Sequence, residues 1–100
     1  AIVNVDDPEA RIIAEAVPAE RLVSYGFDSP AASFLGRDYR DTDTGAAFAV
    51  EAGGERAEVE LQVPGRHNAS NALAALAAAV QLGVPLPDAA AALGRFEGIK

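Results

Sequence analysis

The hydrophobic pattern of this chain changes period along its length, from short apolar runs to strict alternation and then to a helical spacing. Residues 2–5 (Ile-Val-Asn-Val) form a mostly β-branched run closed by Asp6-Asp7-Pro8, which predicts a short buried strand. Pro8 suits the first position of a helix, with Asp7 as its N-cap and Glu9 complementing the dipole. That helix places Ile12, Ile13 and Ala16 on one face and ends near Val17-Pro18, because proline disfavours helix in the residue before it. Residues 21–27 (Arg-Leu-Val-Ser-Tyr-Gly-Phe) predict a second strand, and the order strand, helix, strand predicts a βαβ unit with a parallel pair. Asp28-Ser29-Pro30 then breaks the chain.

The middle has a different rhythm. Residues 33–39 and 46–51 are strand candidates separated by the polar turn Asp41-Thr42-Asp43-Thr44-Gly45. Gly53-Gly54 offers the positive φ angles of a tight hairpin. Beyond it Ala57, Val59, Leu61 and Val63 alternate with Glu58, Glu60 and Gln62, the period-two pattern of a half-solvated strand. The section reads as an antiparallel meander with an acidic outer face.

Pro64-Gly65 ends the meander, and a long helix is predicted from about His67 to Leu82. Leu73, Leu76 and Val80 share one face among alanines, and Gly83 is the C′ residue. Pro87-Asp88 opens a shorter helix through about Arg95. The whole predicts one α/β domain over residues 1–100: a βαβ unit, an antiparallel β meander or hairpin, and two C-terminal helices. A strand at the very start and an ending at Phe96-Glu97-Gly98-Ile99-Lys100 without a polar tail predict a piece of something longer.

Composition narrows the function. The net charge of −7 argues against a nucleic-acid binder, which needs a basic patch to replace phosphate counterions. Acidity does not exclude nucleotide binding, since a helix N-terminus can hold an anion locally. With no cysteine there is neither a disulfide nor a thiolate metal site, in keeping with a cytoplasmic protein. No apolar stretch has membrane-spanning length, because the run from Ala72 to Leu82 is short and contains Gln81.

Chemistry concentrates in Pro64-Gly65-Arg66-His67-Asn68-Ala69-Ser70-Asn71-Ala72-Leu73. At helical spacing His67, Asn68 and Asn71 share one face of the first turn. A carboxamide carries donors and an acceptor that complement the N6 amine and N7 of adenine, so two of them could read a purine edge. Spacing alone leaves a second reading open, in which Asn68 or Ser70 caps the helix and His67 packs over Pro64.

Residues 65–75 (Gly-Arg-His-Asn-Ala-Ser-Asn-Ala-Leu-Ala-Ala) resemble the GxHNxxNALAA segment of the Mur ligases, which build the peptidoglycan stem peptide. Val3-Asn4-Val5-Asp6-Asp7-Pro8, Val23-Ser24-Tyr25-Gly26-Phe27, the acidic meander and the residues 92–100 follow in the family's order, so the resemblance covers nearly the whole chain. Within the family the first two of these motifs and the FxGxK ending are most similar to members that join L-alanine to UDP-N-acetylmuramate. The resemblance implies part of a Rossmann-like central domain, with Asn68 and Asn71 as adenine contacts and His67 as their neighbour. Asn4, Asp6 and Asp7, at the carboxyl end of a strand, are candidate nucleotide-cleft residues, as is Arg66; Arg37 and Arg40 read as solvated surface charges.

The implied parent uses ATP and Mg²⁺ to phosphorylate the UDP-N-acetylmuramate carboxylate, and the amine of L-alanine attacks that acyl phosphate. These residues hold no G-x-x-x-x-G-K-[ST] phosphate loop. The family's Mg²⁺ ligands and modified lysine belong to sequence upstream of Ala1, so no metal ligand is expected here. The UDP-binding N-terminal domain and the C-terminal domain are likewise absent from this stretch. The piece alone is therefore expected to be inactive, and to self-associate through an exposed sheet edge. Two other readings compete: a murein-peptide ligase or folylpolyglutamate synthetase piece, and a non-catalytic acidic α/β interaction module.

Overall fold

A computed structural model describes residues 2–95. Strand β1 (Ile2–Asn4) leads into helix α1 (Pro8–Ala16), a 3₁₀ turn (Ala19–Arg21) and β2 (Val23–Gly26). Strands β3 (Phe34–Asp41), β4 (Ala46–Ala52) and β5 (Glu55–Leu61) follow, then helices α2 (Arg66–Gln81) and α3 (Leu86–Leu93). The five strands form one sheet in the order β1-β2-β3-β4-β5. The first three are mutually parallel, and β4 and β5 add antiparallel. The α/β fold, its βαβ start, its hairpin and its two closing helices are thus as the sequence pattern predicts.

Local rules account for the joints. Asp7 caps α1 by accepting the Glu9 N–H at 2.9 Å, with Pro8 in the first turn. Gly53 and Gly54, at φ 57° and 82°, make the two-residue turn between β4 and β5. At the end of α2, Gly83 (φ 103°) donates to the Val80 carbonyl and Val84 to that of Ala79, which is the Schellman arrangement.

Helix α2 lies across β1 to β4 and α3 against β5, and the core fills the space between. Phe48, Val50, Val59 and Leu61 meet Leu73, Leu76, Leu86 and the alanines of both helices. On the far face, Ala47 and Ala49 of β4 are buried although their strand neighbours are charged. Arg40 of β3 and Glu58 of β5 reach towards each other over this strand, to 3.6 Å. Alanine is small enough to lie beneath such long side chains, whose methylene stems exclude water.

Three expectations change, and one apolar face proves to be exposed. Ile12 and Ile13 share a face of α1, but that face points outward and they are 69% and 61% exposed. The helix instead turns its smaller residues inward, and Ala10 and Ala14 are half-buried. The second strand begins at Val23, because Ala19–Arg21 wind into the 3₁₀ turn. The outer face of the meander is mixed rather than acidic, since Arg37 and Arg56 pair with Glu51, Arg56 also with Asp38, and Arg40 with Glu58. Finally, no side chain caps α2, whose N-cap is Gly65. The motif in residues 96–100 lies outside the described residues.

Candidate functional site

The loops after β1 and β2 and the first turn of α2 come together, since Asp6 is bonded to Phe27 and Arg66 lies beside Phe27 and Asp28, at the carboxyl end of the parallel strands where open α/β folds take ligands. Asn4, Asp6 and Asp7 build the loop there. The Asn4 side chain accepts the Asp6 N–H at 3.0 Å, forming an Asx turn. The Asp6 carboxylate accepts two amides from beyond β2, Phe27 N–H at 2.7 Å and Asp28 N–H at 2.9 Å. Gly26 makes that approach possible, because a Cβ there would stand 2.6 Å from Asp6 Oδ1. Tyr25 is half-buried nearby; burial pushes its phenol pKa up, and the Asp6 charge pushes it further.

The first turn of α2 presents His67, Asn68 and Asn71, all exposed. Asn71 Nδ2 lies 3.4 Å from His67 Nε2, so the pair four residues apart is in contact. Asn68 reaches back one turn, donating from Nδ2 to the Pro64 carbonyl at 2.8 Å. The structure therefore brings His67 and Asn71 together and ties Asn68 to the preceding loop. Asn68 and Ser70 do not cap the helix.

Arg66 sits over two rings, its Cζ 5.2 Å from the Phe27 centroid and 5.7 Å from that of Tyr39. Such stacking suits a guanidinium. Its contact with Asp28 is loose at 3.7 Å and solvent-exposed, so it contributes little. The rings form a ladder inward: Phe27 meets Tyr39 edge-on at 6.4 Å and the fully buried Phe48 at 5.3 Å. Gly36 leaves room for it, since a Cβ there would come 2.4 Å from the Phe27 ring.

The sequence pattern did not point to Tyr39, and the reason is a bulge. The β3–β4 register shifts between Arg37 and Arg40, and Asp38 takes a positive φ of 58°. One extra residue turns Tyr39 towards the core side of the sheet, where strict alternation would have faced it away. An Asp in a charged stretch of strand was the only available signal. Among the described residues no group of three or more His, Cys, Asp or Glu side chains could hold a metal ion. No helix among them is long and apolar enough to cross a membrane.

The model of the Mur ligase middle domain matches residues 1–79. The chain belongs to the Mur ligase family. This Mur ligase segment is 44% identical over 97 residues to UDP-N-acetylmuramate–L-alanine ligase of Paenarthrobacter aurescens, covering 93% of the chain and 20% of that protein. It is 37% identical to UDP-N-acetylmuramoyl-L-alanyl-D-glutamate–2,6-diaminopimelate ligase of Halalkalibacterium halodurans, over 100% of the chain and 22% of the relative. A solved structure of a ligase of the latter name superposes with a TM-score of 0.87 at 27% identity, over 100% of this chain and 21% of that one. The Mur ligase segment thus spans about a fifth of the length of the curated relatives it matches.

Proposed function

We propose that this chain is the later part of the ATP-binding middle domain of a ligase that joins L-alanine to UDP-N-acetylmuramate, and that it supplies part of the adenine pocket. The observation that carries the reading is the first turn of α2, where Asn71 meets His67 at 3.4 Å and Asn68 stands beside them, all open to solvent. Carboxamides in that position can donate to N7 and accept from the N6 amine of adenine. Asn4, Asp6 and Asp7 shape the neighbouring loop, and Arg66 closes it on the side of Phe27 and Tyr39.

The remaining parts of the reaction belong to the rest of the parent. Phosphoryl transfer depends on a phosphate cradle, Mg²⁺ and cationic stabilisation. The role proposed for the described residues is confined to holding the nucleotide base. The 100-residue chain by itself accordingly neither hydrolyses ATP nor forms the amide. L-Alanine is favoured as the amino acid by the 44% identity to an L-alanine ligase. The likeness to a diaminopimelate ligase over the full chain supports a second choice, and the amino acid is selected by residues elsewhere in the parent. ATP supply suits a cytoplasmic setting.

Calorimetric titration of the full-length ligase with ATP tests the adenine assignment. Asn71→Ala is expected to weaken binding roughly 2- to 13-fold, the equivalent of one neutral hydrogen bond. Equal affinity of variant and wild type would end the assignment.

A further inference from the structure

We infer that Tyr39 is a positioning residue for nucleotide recognition, fixing the first turn of α2 and with it Asn68 and Asn71. The inference rests on the adenine reading above.

The Tyr39 hydroxyl makes two hydrogen bonds whose directions are forced. An ionised carboxylate only accepts, so the single phenolic proton goes to Asp41 Oδ1, at 2.8 Å. A lone pair then remains for the Gly65 N–H, which donates to the same oxygen at 3.0 Å. Gly65 is the N-cap of α2, has φ 101°, and has no side chain with which to cap the helix. The phenol of another element thus anchors the residue from which the turn starts. Asn68 is attached to the same point, through its bond to the Pro64 carbonyl.

The anchor itself is fixed. The bulge at Asp38 aims the ring, the edge-on contact with Phe27 holds it from one side, and Arg66 lies over both rings. Phe27 in turn packs on Phe48, so the position of the turn is referred to the centre of the core. A site that reads a base edge needs its amides held to within a fraction of an ångström. Arg66 and Tyr39 supply that constraint.

The test is steady-state kinetics of the full-length ligase with ATP and with GTP. Tyr39→Phe keeps the ring and removes only the hydroxyl. It should raise KM for ATP about three- to tenfold, leave kcat within about twofold, and lower the ATP-over-GTP preference in kcat/KM. Asp41→Ala, which frees the phenol to rotate, should shift the preference in the same direction, and Asp41→Asn, which keeps an acceptor oxygen, should shift it less. A purely structural loss of stability would lower active enzyme without altering the ratio between nucleotides. Asn71→Ala serves as the reference. If Asn71→Ala lowers the preference and Tyr39→Phe does not, the positioning role is overturned and the adenine reading stands. If neither variant changes it, both fall.

Discussion

The Asp6 carboxylate accepts the Phe27 N–H at 2.7 Å across twenty-one positions of sequence. Through this bond the second residue after β1 holds the residue just after β2, and Asp28 N–H adds a second bond at 2.9 Å. Asp6→Ala should therefore lower the stability of the chain by about 1.5–3 kcal/mol, the range for hydrogen bonds to a charged group. Asp7→Ala, which removes only an exposed helix cap, should cost about 1 kcal/mol. Urea denaturation of both variants checks the order. Equal losses would mean that the clamp contributes no more than a cap.

Much of this arrangement was readable from residue types, and the limits are physical. Asp7-Pro8, Gly53-Gly54 and Gly83 each announce a local geometry that hardly depends on the rest of the fold. The alternation around Val59 marks a strand because the helices over β4 and β5 bury one face only. Ile12 and Ile13 show the opposite case: periodicity identifies an apolar face but not what covers it, and nothing in the described residues does. The candidate site was legible as a segment, since His67, Asn68 and Asn71 fall at helical spacing within five residues. Its support was not, because Phe27, Tyr39 and Gly65 meet only through the sheet, and the bulge reverses the side to which Tyr39 points.

The two tyrosines should titrate late. The hydrogen bond to Asp41 holds the Tyr39 phenol above its usual pKa of about 10, and burial does the same for Tyr25. A raised native value means that the protonated form is favoured by folding. The contribution is complete below the unfolded value near 10 and is lost as the pH rises through the raised value. Phenolate absorbance in the near ultraviolet should show both transitions displaced to alkaline pH, with one brought back down by Asp41→Ala. An unchanged titration in that variant would break the assigned Tyr39–Asp41 bond.

The bulge at Asp38 makes a prediction about residue type. Its φ of 58° is tolerated by Asn and Asp through local side-chain bonding, and less well by residues with an unfunctionalised Cβ. Asp38→Asn should stay close to wild-type stability, while Asp38→Ala should lose about 1 kcal/mol. The exposed pair with Arg56 adds little to either number. Thermal melts of the two variants, with Arg56→Ala to bound the ion-pair contribution from above because it removes the pair with Glu51 as well, separate the terms. Alanine as stable as asparagine would show that the left-handed backbone at this position carries no strain.

The last expectation concerns association of the 100-residue chain. β1 is a three-residue parallel strand at the margin of the sheet, and no strand among the described residues pairs with its outer edge. Ile2 is 41% exposed on it, and the outward face of α1 exposes Ile12 and Ile13 further. Parallel strands are normally covered on both faces, and an open apolar edge is a template for another chain. The core between the sheet, α2 and α3 is complete without these residues, so the chain should fold and then self-associate as its concentration rises. Sedimentation velocity over a wide concentration range measures this directly. Ile12→Glu with Ile13→Glu should weaken association and leave stability within about 0.5 kcal/mol, because neither side chain is buried in the monomer. Association unaffected by the double variant would place the contact on the β1 backbone edge instead. A particle that stays monomeric throughout, with slow amide exchange at residues 2–4, would show that this margin of the fold needs no partner.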